Sequence, residues 1–150
     1  MITPYKYNSI ISINQSINQS NMAVKLTAIN SSKSPAPAAP YSHAMKAGDF
    51  IYLSGQIALT PENKPVGGPI AQRATQIMEN IKSVLSDCNS SLDRVVKVNI
   101  FLTDINDFAE FNKVYGTYFN THKPARSCVA VAALPLGETV EVEVIAVENE

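Results

Sequence analysis

The chain has too few cysteines to be stapled and too few histidines to hold a metal. Two cysteines, Cys88 and Cys128, make no disulfide framework, and both read as reduced thiols. Two histidines, with no CxxC and no HxxxH, exclude the usual zinc spacings. No apolar run approaches the roughly 20 residues that span a bilayer, so no membrane role is expected. Acidic residues are missing altogether before Asp49, where four lysines (Lys6, Lys25, Lys33 and Lys46) stand alone. The rest carries eight basic and thirteen acidic residues, a net charge of -5. Phosphate contacts need clustered Lys and Arg, so that balance makes a poor nucleic-acid binder.

What is present divides at about residue 33. Residues 1–33 are rich in Ser, Asn and Ile and carry a tandem repeat, Ile13-Asn14-Gln15-Ser16 then Ile17-Asn18-Gln19-Ser20. They lack turn signals and periodicity and are expected to form no packed element. Their Ser and Lys content without acids suits a mitochondrial transit peptide, although they contain no Arg. The alternative is a low-complexity tail with no address. The first reading places the protein in the mitochondrial matrix and is preferred; the second leaves it in the cytoplasm. Met22 offers a second start.

Residues 34–150 read as one domain. Pro35, Pro37 and Pro40 extend the chain into a short strand over 41–47. Gly48-Asp49 marks a hairpin turn, and 50–59 a second strand. From Pro69 the apolar residues Ile70, Ala74, Ile77, Ile81, Val84 and Cys88 follow helical spacing. Residues 95–103 form a strand with Val96, Val98, Ile100 and Leu102 on one face. A second helix begins at 104–107, where acidic and amide side chains can cap free N–H groups, and runs to about Asn120. Strands over 126–134 and 139–147 finish the chain. The order β-β-α-β-α-β-β implies an α+β domain with one sheet and two helices on one face. The other face needs cover, and a partner subunit is the economical one.

Three polar residues are costly where this pattern puts them. Asn112 lies in the apolar stripe of the second helix, as a satisfied buried amide or a site residue. Arg126 opens an apolar strand, where its guanidinium either reaches solvent or needs an anion. Glu141 alternates with Val140 and Val142 on the face of Glu143, Ile145 and Val147, a pattern that equally suits a solvated polar face. Arg126 and Glu141 lie on consecutive strands, so they could meet as a carboxylate clamp and a base. Ser54-Gly55 interrupts a strand and marks a bulge or close approach. Cys128 reads as a small core residue. His43 and His122 have no obvious partners.

Several blocks together resemble the Rid/YjgF family. They are Tyr41-Ser42-His43-Ala44, Tyr52-Leu53-Ser54-Gly55-Gln56, Val96-Lys97-Val98-Asn99-Ile100-Phe101-Leu102, Asp107-Phe108-Ala109-Glu110-Phe111-Asn112, Pro124-Ala125-Arg126-Ser127-Cys128-Val129 and Val140-Glu141-Val142-Glu143-Val144-Ile145-Ala146-Val147. The chain is most similar to fungal members, some mitochondrial and some cytosolic. The resemblance implies a chorismate-mutase-like fold assembled as a homotrimeric barrel, with pockets between subunits. It implies hydrolysis, without cofactor or metal, of 2-enamino and 2-imino acids such as 2-aminoacrylate and 2-iminobutanoate. The products are 2-keto acids and ammonia, and the reaction protects pyridoxal-phosphate enzymes. It assigns Arg126 to the substrate carboxylate, Glu141 to the hydrolytic water, and the Cys128 backbone to the imino nitrogen. Tyr41, Ser54, Gly55 and Asn112 line the pocket. Rival roles are RNA cleavage, which the net charge opposes, and non-catalytic binding of small carboxylates, which loss of Arg126 or Glu141 would favour.

Overall fold

The structure, a computed structural model, describes residues 23–149. Six strands form one sheet: β1 (Leu26–Ile29), β2 (Ala44–Ala47), β3 (Phe50–Leu53), β4 (Val95–Leu102), β5 (Ala125–Ala130) and β6 (Val140–Val147). Their spatial order is β1-β2-β3-β6-β4-β5. Every pair is antiparallel except β4–β5, which runs parallel. Helix α2 (Phe108–Tyr118) makes the crossover that a parallel pair requires. Helix α1 (Ile70–Asp87) connects β3 to β4.

The helical periodicity is realised. Ile70, Ala74, Ile77, Ile81, Val84 and Cys88 are all buried, joined by Met78 and Leu85. They pack on Ile51, Leu53, Val98, Ile100, Val142, Val144 and Ala146, the inner side chains of the central strands. Phe111 seats α2 in the same core. Asp104 caps the start of the second helical segment, its Oδ1 accepting from Asn106 N at 2.9 Å.

Four expectations need correction. The packed domain does not begin at residue 34: β1 lies within the segment expected to lack packing and pairs with the free edge of β2. Four residues are too few to display a period, and it is the offered edge that orders them. The part of that segment before residue 23, with the tandem repeat and Met22, lies outside the described residues. Next, β3 stops at Leu53 rather than continuing to Leu59, because the chain turns at Ser54-Gly55 to pass Glu141. In β4 the register against β6 shifts between Val95 and Lys97. That bulge turns Val96 outward and makes Val95 the buried residue. Finally, β5 ends at Ala130, not Leu134, and lies exposed at the sheet edge.

The face away from the helices is open, apolar over β1 to β3 and polar at Lys97, Asn99, Ser127 and Glu143. Leu26, Met45, Phe50, Tyr52 and Val129 project from it, and Tyr52 is 46% exposed. Such residues on four strands mark an unfinished core rather than a solvated surface.

Candidate functional site

Glu141 stands on the open face of β6 beside a turn where a side chain at Gly55 would displace it. A Cβ at Gly55 would overlap Glu141 Oε1 and lie 2.6 Å from its Cδ. Ser54 fixes the turn, its Oγ donating to Ser42 O at 2.7 Å. Gln56 then rejoins the sheet by a bridge to Val142. Glu141, Ser54, Gly55 and Tyr41 therefore share one pocket of about 410 Å³. Its remaining walls are mostly apolar, including Pro35, Ala39, Ile57 and Leu136. Burial first, and then the neighbouring Glu143 charge, push the Glu141 carboxyl above its usual range. A carboxyl moved in that direction is a better proton carrier near neutrality.

This shift has a stability consequence. The folded chain holds the Glu141 proton to higher pH than the unfolded chain does. Between the two pKa values the folded state binds more protons, so stability falls as pH rises through that window. Glu141→Gln removes the titration. It should match the parent in acid and exceed it in stability at neutral pH. Urea melts at about pH 4 and about pH 8 check this; a parent–variant difference that does not change with pH would show that Glu141 titrates normally.

Arg126 sits at the sheet edge, on the helix side. Its guanidinium lies 4.8 Å from the Tyr115 ring centre and 5.5 Å from that of Phe108. Nη1 donates to Asn112 Oδ1 at 2.6 Å. Asn112 is thus half-buried and engaged by the arginine, and not by backbone. Stacking and this hydrogen bond fix the plane of the fork while leaving donors free for a carboxylate. Cys128 lies two residues on, along the same face of β5. Burial raises its thiol pKa, and Arg126 only partly opposes that. The thiol is therefore protonated and a weak nucleophile.

The two groups do not meet within one chain. The sheet places β4 between β5 and β6, so strands consecutive in sequence are not neighbours. Arg126 is level with Val98 and Val144, whereas Glu141 is level with Phe101. Two strand spacings and three residues separate them by ~14 Å. They also point to opposite faces, since Val144 is core and Glu141 is not. The chain holds two half-sites: Tyr41, Ser54, Gly55 and Glu141 in one, and Asn112, Arg126 and Cys128 in the other.

Sequence reasoning left His43 without partners and missed the Phe108–Tyr115 cradle and Leu136. His43 is buried and bonded at both ring nitrogens. Leu136 adopts a left-handed conformation at φ 57° on the pocket wall. Nothing in the local pattern marks the cradle or Leu136. Among the described residues no group of three or more His, Cys, Asp or Glu could hold a metal ion. No described helix is long and apolar enough to cross a membrane.

A family model described as Endoribonuclease L-PSP matches residues 31–148. The chain belongs to this family, the Rid/YjgF family. Among its Rid/YjgF relatives is Protein HMF1 of Saccharomyces cerevisiae, 64% identical over 129 residues, covering 86% of this chain and all of that protein. "Protein MMF1, mitochondrial" of the same yeast is 58% identical over 124 residues, covering 83% of this chain and 86% of that protein. The crystal structure of yeast Mmf1 matches with a TM-score of 0.82 at 57% identity, covering 83% of this chain and 100% of that one. E. coli TdcF, solved with bound serine, matches at 0.78 and 33% identity, covering 82% of this chain and 99% of that one. The single domain with one six-stranded mixed sheet and two helices is the Rid/YjgF fold.

Proposed function

We propose that this Rid/YjgF chain hydrolyses reactive 2-enamino and 2-imino acids to 2-keto acids and ammonia, at sites completed between copies of itself. The observation that carries this reading is the separation of the half-sites. One chain offers an oriented guanidinium fork without a base; its other face offers a half-buried carboxylate without an anion clamp. Assembly through the open apolar face would supply each with its complement. Serine bound to TdcF supports a small amino-acid-like ligand.

The chemistry follows from the groups. Arg126 takes the substrate carboxylate, leaving the imine carbon to face Glu141. An enamine first tautomerises to the imine. Glu141 accepts a proton from water as the oxygen adds to that carbon, and the proton passes to the nitrogen. The adduct's hydroxyl proton then passes to the nitrogen, and collapse breaks the carbon–nitrogen bond, forming the ketone and releasing ammonia. No electron is gained or lost, and no cofactor is required. The Cys128 backbone would hold the imino nitrogen. The deciding experiment couples the purified protein to threonine dehydratase and follows keto acid release from serine and threonine. Release no faster than without the protein would end this reading. Cleavage of an RNA substrate by the same preparation would favour the activity named in the family description.

Assembly is tested separately. Light scattering at micromolar concentration should return three times the 16.3 kDa chain mass. A stable monomer would leave both half-sites incomplete. We also assign the protein to the mitochondrial matrix, supported by one relative named mitochondrial, although HMF1 is not so named. Fusing residues 1–22 to a reporter checks this; a reporter that stays in the cytosol would overturn it.

A further inference from the structure

The outer wall of the Glu141 pocket is a strap of irregular chain, residues 30–41. Pro35, Ala36, Ala38, Ala39 and Tyr41 face the cavity from it. The strap lies between β1 and β2 with no ladder of its own, so side chains must hold it. One residue does most of this. His43 is 2% exposed. Its Nδ1 accepts from Ser31 N at 2.9 Å, and its Nε2 lies 2.6 Å from Pro35 O. Its own N–H donates to Asn30 Oδ1 at 3.1 Å. On the other side, His43 O accepts from Ser54 N at 3.0 Å, next to the turn that carries Gly55 past Glu141. The same residue thus ties the strap to the turn beside the carboxylate.

The partners determine the protonation state. A backbone N–H can meet only an unprotonated Nδ1, and a carbonyl can meet only a protonated Nε2. We propose that His43 is a positioning residue, whose neutral imidazole with its proton on Nε2 clamps the strap shut as the wall of the substrate pocket. Few charges surround the ring. The strap carries Lys33, 3.9 Å from Asp87 at the end of α1, and Tyr41. On β2, Lys46 pairs with Glu148. β1 has no titratable residue, β3 has only Tyr52 on the opposite face, and β6 presents Glu141 across the pocket.

This proposal rests on the deaminase reading only for its kinetic consequence. The test is amide hydrogen exchange of the full chain at neutral pH. In His43→Ala the strap amides should lose protection about tenfold or more while α1 and β4 amides hold theirs. His43→Gln keeps a donor and an acceptor, so its strap should stay protected. In the coupled assay His43→Ala should raise KM about tenfold with kcat within about twofold, and His43→Gln should recover most of that loss. A His43→Ala chain with a fully protected strap would overturn the proposal. So would loosening spread evenly over α1 and β4, which would make His43 a general core residue. If His43→Ala does not fold, nitrogen NMR of the parent still decides, because a ring proton found on Nδ1 rather than Nε2 would overturn the clamp. If no deaminase activity exists, the exchange result stands unchanged.

Discussion

Arg126→Ala should abolish turnover and the binding of small 2-keto acids together. The guanidinium is exposed at the edge of β5 and packs on rings rather than in the core, so its removal should leave folding intact. A charge-assisted contact to a carboxylate contributes about 1.5–3 kcal/mol, or about 10- to 150-fold in affinity. Loss of orientation adds to the kinetic effect. Arg126→Lys should rescue little. An ammonium cannot lie flat on Tyr115 and Phe108, donate to Asn112 and still offer two parallel N–H groups. Pyruvate binding and steady-state deamination, measured after assembly state is checked, decide it. An Arg126→Ala protein that still binds pyruvate with parental affinity would show that the clamp lies elsewhere.

Gly55→Ala should lower kcat about 100-fold while sparing both stability and ligand binding. Gly55 has no left-handed backbone, so alanine fits its torsions; the nearest conflict is with the Glu141 side chain, from Cγ to Oε1. That carboxylate ends a flexible side chain and can swing away at little cost to the fold. Having swung, it no longer faces the carbon that water must attack, whereas Arg126 is untouched on the opposite face. A thermal melt near the parent's, retained pyruvate affinity and slow turnover form the expected set. Parental kcat would show that the position of Glu141 near Gly55 does not matter to the chemistry.

Much of this arrangement was legible in the sequence, and the parts that were not share a cause. The stripe from Ile70 to Cys88 and the alternation from Val140 to Val147 are long enough to declare their period, and both were read correctly. β1 and the early end of β3 were not, because each is decided by a partner distant in sequence. For β1 that partner is the free edge of β2, and for β3 it is the carboxylate beside Gly55. Val96 was misplaced for the same reason, since a bulge exists only relative to the strand opposite. The candidate site residues were identifiable from the resemblance, but their grouping was not. Arg126 and Glu141 are close in sequence order and far apart in the sheet, because β4 inserts between their strands. The partners of His43 were not legible, because the groups its ring meets are backbone, and any residue supplies those.

Splitting the reactive groups between two faces has a genetic consequence. Under the proposed assembly each cleft takes its arginine from one chain and its glutamate from the next. A chain lacking Arg126 and a chain lacking Glu141 are both dead alone, yet their damage falls on different clefts. Mixed at random in one ring, they should restore an intact pairing in about a quarter of the clefts. Two null alleles of this gene would then complement one another, whereas alleles that share a damaged half would not.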